Sequence, residues 1–276
     1  MNEQGAVGLF DSGFGGLSVW REVARLLPHE DIIYVADQAH VPYGSRSLDE
    51  VREFSEQIVR FLLGEGVKVI VIACNAASAA ALYYVRNRFP GVPFVGMEPA
   101  IKPAVERTRT GIVGVIATRT TFQGKLFASL MARYARGVHV LTQVGTGLVE
   151  AVESGNLDEP ETEALVRECV VPLVEAGADQ LVLGCTHYPF LRPLIERVVG
   201  EKAEVIDPAP AVARQTERVL TRMRLAADPD RQGEHLFYTS GNVFAFTEMF
   251  RRVLPDDDLG EVRPVFWRDG RLERLE

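Results

Sequence analysis

Two cysteines stand at the ends of two similar apolar runs. Cys74 follows Val-Ile-Val-Ile-Ala at positions 69–73, and Cys185 follows Leu-Val-Leu-Gly at positions 181–184. Short, continuous, β-branched runs are typical of strands buried on both faces of a parallel sheet. Ligands bind at the carboxyl ends of such strands, so this placement predicts that both thiols are functional. The third cysteine, Cys169, lies mid-helix among apolar residues and is expected to pack in the core.

Two thiols in matching positions favour proton transfer at opposite faces of one carbon. Inverting a stereocentre needs a base that removes a proton from one face and an acid that delivers a proton to the other, and a thiolate and a thiol can exchange these roles. His187 follows Cys185 closely and is expected to relay protons for it. Cys185 with His187 could instead form a cysteine hydrolase site, but that alternative leaves Cys74 unexplained.

The segments around the cysteines recur in the same order, which indicates an internal duplication. Three pairs of segments match: 7–12 with 113–118, Cys74 with Cys185, and 98–100 with 207–209. This pattern predicts an α/β fold with two pseudo-symmetric, mostly parallel-sheet lobes and an active site in the cleft between them. Residues 1–97 plus 208–276 are expected to form the first lobe, and residues 98–207 the second.

Hydrophobic periodicity gives more detailed expectations for the second lobe and the tail. It predicts one helix over 120–134, an added strand over 234–240, a helix over 243–253 and a small hairpin over 263–271.

The glycine-rich segment at 11–16, DSGFGG, has two interpretations. A dinucleotide-binding fingerprint would need glycine at position 18, where Ser18 stands. We expect instead that the glycines let the main chain approach a small ligand, with Asp11 orienting an ammonium group. Asp11 could also act as a helix N-cap.

Neither a metal nor an organic cofactor is predicted. Cys185 and His187 are too close in sequence for the usual zinc-ligand pairs, and no second pair occurs. Pyridoxal phosphate needs a Schiff-base lysine, and none of the four lysines stands at the carboxyl end of a predicted strand.

Composition narrows the class of protein. The 276 residues carry a net charge of −8 with both signs interspersed, which argues against a nucleic-acid partner. No apolar stretch approaches the ~18–20 residues of a membrane span, and the start shows no secretory signal. Three widely spaced cysteines do not form a disulfide framework, so a reducing cytoplasm is expected.

Four motifs together resemble the glutamate racemases of the cofactor-independent aspartate/glutamate racemase superfamily. They are DSGFGG at 11–16, VPYG at 41–44, ACN at 73–75 and GCTHYP at 184–189, within a resemblance that runs from about residue 6 to about residue 225. The resemblance implies interconversion of L- and D-glutamate, supply of D-glutamate for bacterial peptidoglycan, and a homodimer. An aspartate or other amino-acid racemase on the same scaffold is the sister alternative, and a catalytically idle pair of binding lobes is another.

The resemblance also implies roles for individual residues. Cys74 would act on the D enantiomer and Cys185 on the L enantiomer, assisted by Asp11, His187 and Glu150. The implied substrate-holding set is Asp11, Ser12, Tyr43, Gly44, Asn75, Ala76, Thr118, Thr121, Thr186 and His187.

One position departs from the family pattern. The family usually has threonine where this chain has Ala76, so a hydroxyl near the substrate carboxylate is missing and only the main-chain N–H remains. Because a neutral hydrogen bond contributes ~0.5–1.5 kcal/mol, we expect weaker binding or altered turnover with the chemistry retained.

Overall fold

The computed structural model describes residues 5–274 and arranges them around two parallel sheets. The first part of the chain contains β1 (Val7–Asp11), α1 (Leu17–Leu26), β2 (Ile32–Ala36), α2 (Leu48–Gly64), β3 (Val69–Ile72), α3 (Asn75–Arg88) and β4 (Phe94–Gly96). The second contains α4 (Ile101–Arg107), β5 (Ile112–Ala117), α5 (Arg119–Gln123), α6 (Lys125–Tyr134), β6 (His139–Val144), α7 (Leu148–Glu153), α8 (Pro160–Glu175), β7 (Gln180–Gly184), α9 (Arg192–Val199) and β8 (Glu204–Ile206). The tail contains α10 (Ala209–Met223), β9 (His235–Thr239), α11 (Val243–Val253), β10 (Glu261–Pro264), β11 (Phe266–Arg268) and β12 (Arg271–Glu273).

The two sheets share one strand order. The first runs β10-β9-β2-β1-β3-β4 and the second runs β6-β5-β7-β8, with every neighbouring pair parallel. The order β2-β1-β3-β4 in the first lobe therefore corresponds strand by strand to β6-β5-β7-β8 in the second. The predicted fold class, two similar α/β lobes, is confirmed. The exact lobe boundaries stay a prediction.

The strands that precede the cysteines are buried along their whole length. All residues of β3 and β7 are buried, as the continuous apolar runs predict for central strands covered by helices on both faces. β1 and β5 pair with these two strands and are almost as apolar. The carboxyl ends of β1 and β3 in one lobe, and of β5 and β7 in the other, thus form two rigid edges.

Two sequence-based expectations about secondary structure are wrong in detail. The helix predicted over 120–134 is broken at Gly124 into α5 and α6. A Cβ on Gly124 would lie 2.6 Å from Cβ of Ala79 on α3, so the break occurs where the second lobe touches the first. The hairpin predicted over 263–271 is shifted to β11 and β12, because residues 261–264 pair in parallel with β9.

The tail joins the first lobe. β9 and β10 extend the six-stranded sheet beyond β2, and α10 packs against α1. Across residues 5–274, none of the helices has both the length and the apolar character that crossing a membrane requires.

Candidate active site

Cys74 and Cys185 occupy equivalent places in the two lobes. Each follows the third strand of its lobe, and their exposed fractions are 4% and 6%. Cys74 caps α3, with its Sγ accepting a hydrogen bond from the main-chain N–H of Ala77 at 3.4 Å. Both thiols are free.

Asp11 links the two lobes beside Cys74. It ends β1 and is fully buried, and one carboxylate oxygen accepts from the N–H of Gly13 at 2.8 Å. The other oxygen accepts from the hydroxyl of Thr186, in the second lobe, at 2.9 Å. The hydroxyl of Ser12 lies 3.4 Å from the same carboxylate. These contacts bring the sequence-predicted residues Asp11, Ser12 and Thr186 together.

A second chain of contacts runs from Cys185. Its Sγ lies 3.6 Å from Nδ1 of His187, and Nε2 of His187 lies 2.6 Å from Oε1 of Glu153. The same oxygen accepts from the main-chain N–H of Phe14, in the first lobe, at 2.8 Å. The imidazole is therefore fixed at both nitrogens, and Glu153 bridges the lobes.

Burial and neighbouring charges shift the pKa values of Cys74, His187 and Asp11. Burial, and then the negative charge of Asp11, raises the pKa of Cys74 well above the ordinary thiol value; a charge on Cys185 raises it further. Burial alone would lower the pKa of His187, but its hydrogen bonds with Cys185 and Glu153 outweigh burial and hold that pKa well above 6.5. Burial also raises the pKa of Asp11, against the opposing effect of a charged His187. The first lobe thus favours a neutral thiol, and the second favours a protonated imidazole beside its sulfur.

Two glycines of the 11–16 loop are required by this arrangement. A Cβ on Gly13 would come within 2.2 Å of Glu153, and a Cβ on Gly15 would come within 2.4 Å of Nδ1 of His187. The glycines let the loop of one lobe lie directly against His187 and Glu153 of the other. The expected close approach of the main chain to a small ligand stays a prediction.

Asn75 is buried with its side-chain amide unused. Neither its oxygen nor its nitrogen has a hydrogen-bond partner within residues 5–274. Leaving a buried amide unsatisfied costs ~1–3 kcal/mol, so this side chain is suited to hold a polar ligand. Asn75 directly follows Cys74 in the chain, so a ligand held by this amide would lie next to the thiol.

The rest of the predicted substrate-holding set lies where the lobes meet. The hydroxyls of Thr118 and Thr121 lie 3.0 Å apart. Gly44 packs so closely on Thr118 that a Cβ would lie 2.6 Å from that residue's Cβ. Tyr43 is buried with its hydroxyl donating to Asp37 at 2.6 Å, and Ala76 is buried near the start of α3.

Cavity size alone would not locate this site. A cavity of about 230 Å³ lies between the lobes and is lined by Gly44, Thr118 and Glu150 among others. A larger one of about 960 Å³ opens at the amino-terminal edge of the six-stranded sheet, beside Ala6 and His235. That edge is opposite the strand ends that carry the cysteines.

Comparison with known proteins decides the family. The family model described as Asp/Glu/hydantoin racemase matches residues 15–216. The chain belongs to this racemase family. A glutamate racemase of Roseiflexus sp. (strain RS-1) is 48% identical over 261 residues, covering 93% of this chain and 96% of that protein.

Solved structures of family members agree with this membership. The glutamate racemase of Bacillus anthracis superposes with a TM-score of 0.88 at 31% identity, over 98% of this chain and 100% of that one. The enzyme of Francisella tularensis, solved in complex with D-glutamate, gives a TM-score of 0.84 at 27% identity, over 96% of this chain and 98% of that one. The sequence-based recognition of the aspartate/glutamate racemase superfamily is thereby confirmed.

One assisting residue implied by the family resemblance, Glu150, lies apart from the cysteine contacts, and its role stays a prediction. Glu150 is exposed and makes no hydrogen bond or ion pair with His187, whereas Glu153, one turn later on α7, holds that imidazole. Glu153 stands three residues after Glu150 and is not among the residues predicted from the sequence. Which glutamate faces His187 depends on the rotation of this six-residue helix about its axis. That rotation is set by packing of the buried Leu148, Val149 and Val152.

Two further residues of the site region carried no recognised signal. Asp37 directly follows β2 and is not among the predicted site residues, yet its carboxylate accepts a hydrogen bond from the Tyr43 hydroxyl. Thr120 stands between the two predicted threonines, and its hydroxyl lies 3.0–3.2 Å from the main-chain oxygens of Tyr43, Gly44 and Arg46. A strand-terminal aspartate and a polar side chain between two site candidates are weak signals, because each is common at helix caps.

Proposed function

We propose that this protein is a glutamate racemase that interconverts L- and D-glutamate with two cysteines and without a cofactor. The single observation that carries the proposal is the pair of buried thiols at equivalent strand ends of two similar lobes. Family membership and the glutamate racemases among its relatives support glutamate as the substrate.

The reaction is a proton transfer at Cα. One sulfur, as thiolate, removes the proton from one face, and the other, as thiol, delivers a proton to the opposite face. The Cα–H bond is a very weak acid, so the carbanionic state must be stabilised by charges and donors placed in advance. The buried amide of Asn75 and the Asp11 carboxylate are the groups we assign to the substrate's carboxylate and ammonium.

The resting site is asymmetric. The raised pKa of Cys74 keeps that sulfur protonated, which makes it the acid. The raised pKa of His187 keeps a proton on the imidazole, whose Nδ1 lies 3.6 Å from the sulfur of Cys185, and we assign Cys185 as the base in this direction. We infer that the resting enzyme is set for the enantiomer whose Cα–H faces Cys185, which the family resemblance implies is L-glutamate.

This asymmetry has a strict thermodynamic limit. The two enantiomers have equal free energy, so kcat/KM must be the same in both directions at every pH. The preference for one protonation state can therefore appear only as a difference in kcat that is matched by an equal difference in KM.

The contacts of Cys185 leave one alternative open to test. Cys185, His187 and Glu153 lie in line as in a cysteine hydrolase, in which the thiolate would form a thioester. A hydrolase gives no role to Cys74, whereas a racemase uses both sulfurs. Family membership also favours the racemase.

The cellular role follows from the substrate. We propose that the enzyme supplies D-glutamate for peptidoglycan, works in the reducing cytoplasm where free thiols persist, and acts as a homodimer. The three free cysteines and the glutamate racemases among its relatives support this assignment.

The test is racemisation of each glutamate enantiomer by the purified protein with no cofactor added, followed by chiral chromatography. We expect both reactions to end at equal amounts of the two enantiomers. A Cys74→Ala variant should lose racemisation, and equal activity of this variant and the parent would refute the two-cysteine mechanism. Faster turnover of aspartate would assign the sister activity, and a stable thioester on Cys185 would assign the hydrolase.

A further inference from the structure

A buried carboxylate outside the cysteine cluster accepts four hydrogen bonds. Asp37, directly after β2, is fully buried. Its Oδ2 accepts from Nδ1 of His40 at 2.8 Å and from the hydroxyl of Tyr43 at 2.6 Å. Its Oδ1 accepts from the hydroxyl of Ser240 at 2.8 Å and from Nε1 of Trp267 at 2.7 Å. Because a buried carboxylate is costly without such partners, these donors and the carboxylate fix one another's positions.

The four donors come from three parts of the chain. His40 and Tyr43 belong to the loop between β2 and α2, which reaches the cleft. Ser240 follows β9, and Trp267 lies on β11 in the C-terminal hairpin. Both of these lie beyond residue 216, where the match to the racemase family model ends. Asp37 thus ties the C-terminal segment to a loop of the candidate active site.

Aromatic packing strengthens the same connection. The ring of His40 meets Trp267 edge-on, with centroids 4.7 Å apart, and stacks on Phe54 of α2 at 3.8 Å. The guanidinium of Arg46 lies over the Phe54 ring, 5.4 Å from its centroid, and its Nε donates to the main-chain oxygen of His40 at 2.6 Å. Trp267 of the hairpin therefore contacts both the Asp37 carboxylate and the His40 ring.

The other side of the loop faces the second lobe. Gly44 packs on Thr118, and the Thr120 hydroxyl lies within 3.2 Å of the main-chain oxygen of Tyr43. The single hydroxyl proton of Tyr43 is donated to Asp37, so this hydroxyl cannot also donate to a substrate. What the loop offers the cleft is the backbone around Gly44, and its position depends on how firmly Tyr43 is held.

We propose that Asp37 is a positioning residue for the loop at 42–45, acting through Tyr43, and that Trp267 braces the carboxylate from the C-terminal hairpin. The kinetic consequence rests on the proposed racemase function, whereas the effect on loop order does not. Within residues 5–274, none of the four donors forms a hydrogen bond with either cysteine, so substrate binding should change more than the proton-transfer step.

The test compares two Trp→Phe variants. Trp267→Phe removes the indole N–H and keeps an aromatic ring. We expect it to raise KM about 3- to 10-fold for both enantiomers with kcat changed less than about 2-fold, the scale of one lost hydrogen bond. Hydrogen–deuterium exchange should be faster at the main-chain amides of residues 39–46. Trp20→Phe alters the chain's other tryptophan, whose Nε1 has no partner within residues 5–274, and should leave KM and loop exchange at the parent values.

A second variant tests the route through the tyrosine. Tyr43→Phe should raise KM to a similar extent. The double variant with Trp267→Phe should raise KM by less than the product of the two single fold-increases, because both residues act through one carboxylate. Asp37→Asn should raise KM more than Trp267→Phe does. The indole N–H cannot accept a hydrogen bond, so the amide oxygen must turn toward Trp267 and the amide nitrogen toward Tyr43.

Parent-like loop exchange in Trp267→Phe would overturn the brace, whether or not the protein racemises glutamate. Faster loop exchange with an unchanged KM would overturn the positioning role. Failure of the racemase function would be seen separately, as absent turnover in the parent protein, while the exchange measurement would still decide the structural part.

Discussion

Glu153→Gln isolates the charge of the carboxylate that holds His187. In the parent, Oε1 of Glu153 accepts from both Nε2 of His187 and the N–H of Phe14. The amide oxygen of glutamine can accept from the same two donors, so mainly the negative charge is lost. Hydrogen bonds to charged groups contribute ~1.5–3 kcal/mol against ~0.5–1.5 for neutral ones, a difference of about 1–2 kcal/mol. We therefore expect kcat/KM to fall roughly 5- to 30-fold, and equally in both directions.

The same substitution should change the pH profile. Glu153 is one of the groups that hold the pKa of His187 well above its ordinary value. Without that charge the imidazole loses its proton at lower pH, and the positive charge beside the sulfur of Cys185 is lost with it. The alkaline limb of kcat/KM should therefore move to lower pH in the variant.

Stability should follow the same group. Because the folded pKa of His187 is raised, its stabilising effect is fully present below the unfolded pKa of about 6.5 and is lost as pH rises through the folded pKa. The difference in unfolding free energy between parent and Glu153→Gln should thus be largest near pH 6, and smaller at alkaline pH. Chemical denaturation at several pH values measures it.

Glu150→Gln is the matched comparison, since it makes the same change on the same helix at an exposed position. Glu150→Gln should lower kcat/KM by less than about 2-fold, because that carboxylate has no hydrogen bond or ion pair with the imidazole. If Glu150→Gln lowered kcat/KM more than Glu153→Gln, and Glu153→Gln kept the parent pH profile, the reasoning from geometry would be refuted.

Three further outcomes are expected. Ala76→Thr should lower KM for glutamate about 2- to 10-fold by restoring a hydroxyl that the family usually has, measured by steady-state kinetics. Gly15→Ala should reduce kcat/KM by more than about 100-fold with the fold retained by circular dichroism, because a Cβ would meet His187 at 2.4 Å. Lys68→Met should destabilise the protein by about 3–5 kcal/mol in urea unfolding, since it leaves Glu30, now 2.6 Å from the ammonium, without that charge.

Each of these has a contradicting result. A KM unchanged by Ala76→Thr would mean that no substrate atom lies near that side chain. Full activity of Gly15→Ala would mean that the loop can retreat from the imidazole without loss. For Lys68→Met the matched control is Arg192→Ala in the exposed pair with Glu196, expected to cost less than about 1 kcal/mol; equal costs for the two would contradict the role assigned to burial.

The parts of this protein that the sequence predicts are those set by local pattern. The buried strands before Cys74 and Cys185 are continuous β-branched runs, and such runs have few alternatives in an α/β protein. The matching order of the two halves then predicts the facing lobes. The glycines at 11–16 predict a close approach of the main chain, but to a small ligand; the contacts of Gly13 and Gly15 with Glu153 and His187 of the other lobe are not predicted.

The parts that the sequence does not predict are set by contacts between distant segments. The break at Gly124 lies where α3 of the other lobe approaches too closely for a side chain, and the contact of Glu153 rather than Glu150 with His187 depends on how one short helix packs. The role of Asp37 requires hydrogen-bond donors as distant in sequence as Trp267, and no local sequence pattern predicts such a contact. In each case the deciding neighbour is far away in sequence.

The most direct test of two opposed sulfurs is isotopic. Each enantiomer is incubated in deuterated water, and deuterium at Cα is measured at early conversion in product and in recovered substrate separately. Each thiol carries one proton, so a substrate that is deprotonated and returned should regain its own hydrogen, whereas the product takes a solvent-derived deuteron from the other sulfur. We predict labelled product and unlabelled substrate in both directions. Equal early labelling of substrate and product would show one base working on both faces, and would contradict the account.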